Sequence, residues 1–426
     1  MAIYHVVGLG LAGLAAALDL ADRVRGTAEV RLWEGAGHAG GRCRTFFEPA
    51  LDCEIDNGNH LILGANPAVF AHLDRLGVRD RLTGLDETAF PFLDLGSNTA
   101  WTLRPDRGRI PLWIFDPARR VPDTSAGDYL AAWRLLVAGR GATVAQCLDT
   151  NSVLFRRLWE PLAVGVLNAS AEEGSARLLA RVLMETFGRG GAACRPYIAT
   201  RGLSDALVDP AVSHLAAQGL APAFGARLKE IVRDASGRVT ALRFAGETIN
   251  LGPDDRLILA TPHEVTRDLL PGLDAPSGSR AIVNAHYRLA KAPRTPPHGL
   301  ALLGLVGSHA QWLFIRGDVA AVTVSAGDAL AALPADEVAR LLWREVAQAL
   351  SLMGEPADAA TLPRCRIVKE KRATFLQTPE NAARRPGVRA GSNLFLAGDW
   401  TATGLPATIE GALRSGASAA RAALSR

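Results

Sequence analysis

The sequence predicts an α/β protein in which a doubly wound domain is interrupted by an inserted α+β domain. Three observations support this fold class. A glycine-rich turn follows the apolar run 3–7, a second strand-like run ends in the acid Glu34, and a third ends in Gly398-Asp399 near the C-terminus. The strand, turn, helix and second strand at the N-terminus have the order and spacing of a Rossmann-like dinucleotide site.

Each small residue of the N-terminal turn has a predicted role. Gly8 permits the tight turn from strand to helix, Gly10 lets the backbone approach a pyrophosphate, and Gly13 lets helix and strand pack closely. Leu11 and Ala12 lie where the start of the helix offers N–H groups and a positive dipole end to phosphates. These five residues are therefore predicted to bind a dinucleotide, and a purely structural β-α-β unit is the alternative.

The residues after the second strand distinguish between cofactors. Glu34 lies 21 residues after Gly13, where a carboxylate can accept hydrogen bonds from ribose hydroxyls and would repel the 2′-phosphate of NADP. Gly40-Gly41-Arg42 then follows, which an NAD dehydrogenase does not need. The sequence here resembles the flavin amine-oxidase and carotenoid-desaturase superfamily, in which such a segment closes over the FAD pyrophosphate. This resemblance implies FAD, and a glycine-rich loop with a solvated arginine is the alternative.

The composition excludes several classes of protein. With 426 residues, 48% of all residues hydrophobic and 21% charged, the chain is expected to fold into two or three globular domains. The formal net charge is only +4 and no long basic run occurs, so nucleic acid is not an expected partner. The five cysteines are scattered and contain no CxxC pair, so we expect neither a disulfide framework nor a metal site.

The hydropathy pattern bears on the cellular location. No apolar stretch reaches the ~18 residues of a membrane span. The glycine motif explains the apolar N-terminus better than a signal peptide does. We therefore expect a cytoplasmic protein that is either free or peripheral at the inner face of the cell membrane.

The segment 51–61 contains an Asp-Asn-Gly turn between apolar runs. In the superfamily, a segment of this kind carries backbone to the flavin ring. The resemblance therefore implies that Gly58, Asn59 and His60 lie at the cofactor. A histidine satisfied by local hydrogen bonds is the alternative interpretation of His60.

The pattern changes in the middle of the chain. Strand-like runs at 90–95 and 110–115 lead into helical segments at 129–136 and 152–167. The almost uncharged stretch 159–168 is interpreted either as a buried helix or as the wall of an apolar tunnel.

The same region also contains a candidate interfacial patch, in which apolar side chains are followed by arginines. Its members are Trp113, Ile114, Phe115, Arg119, Arg120 and Trp133. Such a combination suits the surface of an anionic membrane, and a buried core is the alternative.

Dinucleotide-domain character then returns. A helix is predicted at 203–218, and the strands 224–232 and 239–244 alternate like a hairpin. In related flavoproteins the first strand of such a hairpin places an apolar side chain against the adenine. Position matching assigns that role to Leu228.

The C-terminal region carries the second strong motif. An apolar strand ends in Gly398-Asp399, and a helix of small residues follows from Thr408 and Ile409 to residue 424. In FAD enzymes of this fold the Asp accepts a hydrogen bond from the ribityl chain, and the helix start is directed at the flavin N1–C2=O region. Because no cysteine lies in this motif, the FAD is expected to be non-covalent.

Nearly the whole chain resembles the squalene-associated FAD-dependent desaturases, also called hydroxysqualene dehydroxylases. The resemblance rests on the segments 56–67, 159–170 and 394–416, although commoner members have Gln where this chain has Asn59. It implies conversion of hydroxysqualene to squalene by reduced FAD in a bacterial squalene (hopanoid) route, with a C30 isoprenoid substrate. Electrons would come from NAD(P)H or from a reductase that binds transiently, and His60 is the candidate acid that protonates the hydroxyl group.

The resemblance also implies a division of the chain. The FAD-binding domain is predicted from the segments 1–88, 202–280 and 360–426. The substrate-binding domain is predicted from 89–201 and 281–359.

Three alternatives stay open at this point. A carotenoid-type desaturase would pass hydride from a polyene precursor to FAD through the same tunnel. An amine oxidase would have an aromatic residue and a lysine where this chain has Thr408 and, by position matching, Val283. A non-catalytic FAD-binding carrier of isoprenoids is the remaining class.

Overall fold

A computed structural model describes residues 1–84, 88–294 and 302–425. Its strands are, in chain order, β1 (Ile3–Val7), β2 (Glu29–Trp33), β3 (Thr45–Glu48), β4 (Cys53–Asp56), β5 (Ile62–Leu63), β6 (Leu82–Gly84), β7 (Phe90–Asp94), β8 (Thr99–Leu103), β9 (Pro196–Ala199), β10 (Leu228–Arg233), β11 (Val239–Phe244), β12 (Thr248–Asn250), β13 (Arg256–Leu259), β14 (Ser279–Arg288), β15 (Leu302–Val306), β16 (Trp312–Arg316), β17 (Val319–Val324), β18 (Cys365–Phe375) and β19 (Leu394–Leu396).

Its α-helices are α1 (Leu11–Val24), α2 (Pro67–Leu76), α3 (Ala126–Leu130), α4 (Trp133–Leu136), α5 (Val144–Cys147), α6 (Glu160–Leu167), α7 (Ala176–Glu185), α8 (Gly191–Cys194), α9 (Asp209–Ala217), α10 (His263–Leu269), α11 (Asp328–Ala332), α12 (Ala335–Leu352), α13 (Pro379–Ala383) and α14 (Ile409–Leu424). Shorter 3-10 turns form at Arg79–Arg81, Leu112–Phe115 and Phe187–Arg189, and π turns at Phe155–Trp159 and Ser204–Val208.

The N-terminal motif lies at the carboxyl end of a central strand in a parallel sheet. The strand order is β19-β13-β1-β2, so the strands that lead into Gly8 and Gly398 end at the same edge. Helices α1 and α14 pack closely on each other because Gly416 has no side chain. A Cβ on Gly416 would lie 2.0 Å from the Ala12 carbonyl oxygen, which is too close. The parallel sheet with its helices is the predicted doubly wound arrangement, which confirms the fold class for this part of the chain.

A mixed sheet of seven strands forms the second part, in the order β18-β14-β17-β16-β15-β7-β8. Strands β15 and β7 are parallel, and the other neighbours are antiparallel. Helix α12 covers one face, where Val283 on β14 packs in the same apolar cluster as Leu342 and Val346 on α12. Because side chains alternate along a strand, Asn284 points to the opposite face, toward the cofactor motifs.

One predicted domain boundary disagrees with this sheet. Strand β18 lies in the segment 360–426 predicted for FAD binding, yet it pairs with β14 from Ser279 opposite Phe375 to Tyr287 opposite Cys365. We therefore propose a boundary after Phe375, whereas the other boundaries stay predictions. Strand β9 lies in the segment 89–201 predicted for substrate binding, yet it pairs with β5 and β6 from the segment 1–88 predicted for FAD binding.

The strand predicted at 110–115 is wrong. Residues Leu112–Phe115 form a 3-10 turn, in which the Trp113 N–H donates to the Asp106 carboxylate at 2.7 Å. Pro111 has no N–H for a sheet ladder, and the buried pair Trp113 and Ile114 lies between the exposed Leu112 and Phe115, which is not the two-residue alternation of a strand with one buried face.

The helices predicted nearby form with altered bounds. The helix predicted at 129–136 is divided between α3 and α4, and a capping box of Ser125 and Asp128 starts α3. The predicted helix 152–167 begins instead with the π turn Phe155–Trp159, and α6 follows directly. Pro161, near the start of α6, has no N–H to donate to a carbonyl of the preceding turn. Within the described ranges, no helix is both long and apolar enough to cross a membrane.

Candidate cofactor-binding and active site

The glycine turn after β1 fits a closely approaching ligand. Gly8 has φ +93°, and a Cβ there would lie 2.7 Å from the Ala260 carbonyl oxygen. A Cβ on Gly13 would lie 1.8 Å from the Gly8 carbonyl oxygen, so only glycine allows α1 to start against this turn. Gly10 is the N-cap residue of α1, and Leu11 and Ala12 form its first turn, where N–H groups lack intrahelical acceptors. The geometry therefore suits a pyrophosphate.

Glu34 shapes the same loop. Its carboxylate accepts hydrogen bonds from the Leu9 N–H at 2.6 Å and from the Ala36 N–H at 2.8 Å. A carboxylate has about four acceptor positions, so two remain for ribose hydroxyls. The sequence predicted the ribose contact, which stays a prediction, and did not predict that Glu34 also ties together both sides of the loop.

The Gly-Gly-Arg segment lies over the start of α1. The Gly40 N–H donates to the Leu9 carbonyl at 2.8 Å, and a Cβ on Gly41 would lie 3.5 Å from the Gly10 Cα. Both Gly40 and Gly41 have positive φ, at +95° and +60°. This tight path directs Arg42 toward the C-terminal motif.

Arg42 joins the two motifs directly. Its Nη2 donates to Asp399 Oδ2 at 2.7 Å, although the residues are 357 positions apart in the chain. The Asp399 carboxylate raises the pKa of Arg42, which desolvation opposes. The Arg42 side chain keeps 42% of its surface accessible whereas Asp399 keeps 8%, so Asp399 is the buried partner of this pair. The sequence placed both residues at the cofactor but not in contact with each other.

A second buried arginine supports the loop that follows Asp399. Arg385 donates from Nη2 to the Asp399 carbonyl at 2.8 Å and to Thr403 Oγ1 at 2.9 Å. Burial lowers the pKa of Arg385 to about 10, and the Asp399 charge partly opposes this change. Sequence reasoning missed Arg385, because its neighbours Arg384 and Arg389 look the same in a sequence and only burial distinguishes it.

The start of α14 is capped as its sequence suggests. Thr408 Oγ1 accepts a hydrogen bond from the Gly411 N–H at 3.0 Å, and Ile409 is the first helical residue. Before it, Gly398 turns with φ +151°, and its N–H donates to Ser415 Oγ at 3.0 Å. Strand β19, this turn and the N-terminus of α14 therefore form one rigid unit beside Arg42.

We expect Thr408→Ala to lower the free energy of unfolding by about 1 kcal/mol, because the Gly411 N–H loses its acceptor. Thr408→Ser retains the hydroxyl group and should behave as wild type. Urea unfolding of apoprotein and FAD-loaded protein measures both effects. A Thr408→Ala protein as stable as Thr408→Ser would contradict this account of the cap.

The segment 57–60 is fixed by the seven-stranded sheet. Asn59 Nδ2 donates to Thr323 Oγ1 at 3.2 Å, and Thr323 donates to Asn284 Oδ1 at 2.7 Å. Asn284 in turn donates to the Asn57 carbonyl at 3.2 Å, and a Cβ on Gly58 would approach Asn284 Nδ2 to 3.2 Å. Asn284 and Thr323 were missed, although polar residues in otherwise apolar strands were a usable signal. Asn284, and not Val283, faces this segment.

His60 lies at the end of this network. Its Nδ1 is 3.0 Å from the Gly58 carbonyl, which can only accept, so Nδ1 carries the proton and Nε2 is available to a substrate. The side chain has accessible surface, yet the protein atoms around it are dense enough for desolvation to lower the pKa of His60. The imidazole is therefore an accessible ring with protein on most sides, as at the wall of a cleft, and desolvation favours its neutral form.

Apolar side chains adjoin His60. Leu61, Ile198 and Trp312 are half-buried and pack against the buried cluster of Leu302, Phe314 and Ala321. Helix α6 reaches the same place, because a Cβ on Gly165 would lie 3.1 Å from Trp312 Nε1. Several side chains on α6 are only half-buried, which favours the wall of an apolar tunnel over a fully buried helix as the interpretation of this segment.

Leu228 lies at the other end of the candidate site. It is buried in a cluster with Trp33 and Phe244, whose rings stack with centroids 4.7 Å apart. The preceding residue, Arg227, approaches Gly35 in the loop after Glu34, since a Cβ on Gly35 would lie 3.6 Å from the Arg227 Cα. Leu228 is therefore close to the ribose end of the site, and its contact with adenine stays a prediction.

We expect Arg42→Met to weaken FAD binding by roughly 10- to 100-fold, because the buried Asp399 carboxylate loses a charged partner. Asp399→Asn should have a similar effect. In the double variant, the loss of FAD-binding free energy should be much smaller than the sum of the two single losses, because both single changes break the same bond. Fluorescence titration of the apoproteins with FAD measures the coupling, and full additivity would contradict a direct Arg42–Asp399 interaction.

Comparisons with known proteins agree with this geometry. The family of flavin-containing amine oxidoreductases matches residues 11–424. A hydroxysqualene dehydroxylase of Sinorhizobium fredii is 44% identical over 99% of this chain and 98% of the relative. Hydroxysqualene dehydroxylases of Rhodopseudomonas palustris and Zymomonas mobilis are 44% and 39% identical, over 98% and 100% of this chain and 97% and 100% of the relatives.

Solved structures show the same fold. Wild-type putrescine oxidase bound to putrescine superimposes with a TM-score of 0.70 at 15% identity, covering 100% of this chain and 99% of the other. Cyclohexylamine oxidase from Brevibacterium oxydans gives 0.69 at 18% identity, covering 99% and 98%. These likenesses confirm the predicted fold class, and the family match confirms FAD as the cofactor.

Proposed function

Because the chain belongs to the flavin-containing amine oxidoreductases and, within them, to the hydroxysqualene dehydroxylases, we propose that it converts hydroxysqualene to squalene. The hydroxyl group takes up a proton and leaves as water, and a hydride replaces it, so one C–O bond breaks and one C–H bond forms. FAD, once reduced, supplies the hydride. The near full-length identity to three dehydroxylases is the observation that carries this proposal.

The residues around His60 support the chemistry. Hydroxide is a poor leaving group, so the substrate hydroxyl needs an acid, and an imidazolium at His60 has its Nε2 free to donate. Gly58 and the Asn59–Thr323–Asn284 network fix the orientation of this ring. The apolar side chains of Leu61 and its neighbours exclude water, which would otherwise capture an allylic cation.

The pH dependence follows from the pKa of His60. Desolvation lowers this pKa, so the proton-donating form is abundant only on the acidic side of the ordinary histidine range. We expect kcat/KM to be constant at low pH and to fall tenfold per pH unit once the pH exceeds the pKa of His60. The His60→Gln variant should lack this descending limb; if it keeps the limb, another group is the acid.

Two further partners belong to the proposal. The cycle consumes two electrons per turnover, so NAD(P)H or a reductase must bind transiently and reduce the enzyme. A C30 isoprenoid is nearly insoluble in water, and we propose that the enzyme acts as a peripheral protein at the inner face of the cell membrane.

Product analysis tests the reaction. FAD-loaded protein, chemically reduced under anaerobic conditions, is incubated with hydroxysqualene, and the product is identified by mass spectrometry. Squalene, with the hydroxyl replaced by hydrogen, is expected. A product that has merely lost water, or unchanged substrate with a fully loaded enzyme, would refute the proposal.

A further inference from the structure

Exposed apolar side chains are concentrated in one short segment. Twelve large apolar residues among those described are exposed, and seven of them lie between residues 110 and 137. Each of the seven has more than half of its surface accessible, and we call them together the apolar surface: Ile110, Leu112, Phe115, Leu130, Trp133, Leu136 and Val137. Contiguous apolar exposure of this kind marks an interaction site.

The buried neighbours of these residues hold the surface together. The Trp113 and Tyr129 rings meet edge to face with centroids 5.1 Å apart, and the Tyr129 hydroxyl accepts from the Val121 N–H at 2.9 Å. The 3-10 turn Leu112–Phe115 is therefore fixed beside α3. Spacings of three and four residues place Leu130, Trp133 and Val137 on one side of the α3–α4 segment.

The structure corrects the patch expected from sequence. Trp113 and Ile114 are 5% exposed and act as anchors for the surface, not as part of it. Arg119 is paired with Asp106, and Arg120 donates to the Ile114 carbonyl, so both are engaged within the segment.

The charge around the apolar surface is positive. Residues 104–140 contain seven arginines and four aspartates, with no lysine or glutamate. Four of the arginines are exposed, Arg107, Arg109, Arg134 and Arg140, against three exposed aspartates, Asp116, Asp123 and Asp128. An apolar face bordered by arginines complements the headgroups and the acyl boundary of an anionic bilayer.

We propose that the apolar surface inserts into the cytoplasmic face of an anionic phospholipid bilayer and holds the enzyme there as a peripheral protein. A second copy of this chain is a poorer occupant, because a two-fold contact would set the same positive surface against itself. A bilayer supplies both the negative headgroups and the apolar depth that the seven side chains need. The Trp133 indole is suited to the interface between these two layers.

The interior of the same region leads toward the candidate active site. Behind the apolar surface, Trp113, Tyr129 and Trp159 belong to one buried cluster, and Leu61 packs against that cluster next to His60. If the proposed function is right, a substrate dissolved in the bilayer enters on this side and reaches the cleft without crossing water. That last step alone rests on the proposed function.

Vesicle flotation tests the surface without any substrate. FAD-loaded full-length protein is floated with vesicles of phosphatidylcholine alone and of phosphatidylcholine with phosphatidylglycerol. The variant Leu112→Ser/Phe115→Ser/Trp133→Ser is compared with the control Met184→Ser/Leu352→Ser, which removes exposed apolar side chains elsewhere. FAD content and circular dichroism establish that each variant is folded.

We expect wild type and the control to float with the anionic vesicles and the triple variant to bind on the order of 100-fold more weakly. Replacing Arg107, Arg109, Arg134 and Arg140 with glutamine should remove the preference for anionic vesicles. The proposal is overturned if the triple variant binds anionic vesicles as tightly as wild type does, or if wild type does not float with either kind of vesicle. It is also overturned if the triple change only dissociates a dimer.

Activity on hydroxysqualene in detergent keeps the two proposals separate. The triple variant should then turn over at the wild-type rate, and it should be slower than wild type only when the substrate is in vesicles. An enzyme that floats with vesicles but produces no squalene would refute the proposed function, whereas the proposal that the apolar surface binds membranes would be unaffected.

Discussion

Gly13→Ala is expected to yield a protein that does not retain FAD. The new Cβ would lie 1.8 Å from the carbonyl oxygen of Gly8 and 2.9 Å from its carbonyl carbon, and both atoms belong to the backbone of the turn. Neither can move without displacing the N-terminus of α1 from β1. Overpacking of this kind costs about 1–3 kcal/mol. Because the pyrophosphate is expected to bind at the helix start that is displaced, a loss of about 3 kcal/mol from binding would weaken FAD affinity by roughly 100-fold.

Gly37→Ala is the matched control for this experiment. Gly37 lies in the loop after Glu34, and a Cβ there meets no atom within 4 Å. Its FAD affinity, measured by fluorescence titration of the apoprotein, should equal that of wild type. A Gly13→Ala protein with a wild-type Kd would show that this turn does not hold the cofactor.

His60→Gln is expected to lower kcat for dehydroxylation by roughly 10²- to 10⁴-fold, the usual contribution of a positioned general acid. Glutamine can still donate to the Gly58 carbonyl but has no titrating proton. FAD affinity and the flavin absorption spectrum should therefore be unchanged. Single-turnover kinetics with reduced enzyme and hydroxysqualene measure the chemical step apart from product release.

His214→Gln controls for the loss of a histidine as such. His214 is half-buried on α9 and makes none of the contacts described around the cleft. It should have wild-type kinetics at every pH. If His60→Gln retained a wild-type single-turnover rate, the imidazole would have a structural role only, and the acid would have to be sought elsewhere in the cleft.

The N-terminal site was predictable because its determinants are local. Gly8, Gly10 and Gly13 are fixed by a turn and a helix start within a few residues, and the structure gives Gly8 and Gly13 close backbone contacts that exclude a side chain. The C-terminal helix start at Thr408 was predictable for the same reason, since a cap depends on the next three residues.

Contacts between distant segments were not predictable from one sequence. The pairing of Arg42 with Asp399 and the network from Asn59 through Thr323 to Asn284 depend on strand register. A shift of one residue reverses the face of a strand, so one sequence could not show that Asn284, and not Val283, faces the segment 57–60. The pairing of β18 with β14 was not predicted, because the sequence of a strand does not reveal its neighbour in the sheet.

The segment 110–115 shows a different limit. Consecutive apolar residues resemble a buried strand, yet here Trp113 and Ile114 are buried while Leu112 and Phe115 are exposed at the surface. Hydrophobic periodicity cannot separate these cases, because a 3-10 turn of four residues is too short to show a repeating pattern.

The most direct test of the proposed reaction is anaerobic stopped-flow absorbance of the flavin. FAD-loaded enzyme is chemically reduced and mixed with hydroxysqualene, and oxidised enzyme is mixed in parallel with squalene or phytoene. We expect the reduced flavin to be reoxidised with formation of one squalene per flavin, and the oxidised enzyme to stay unchanged. Reduced enzyme that stays inert, while oxidised enzyme bleaches with the polyene precursor, would contradict dehydroxylation and establish a desaturase.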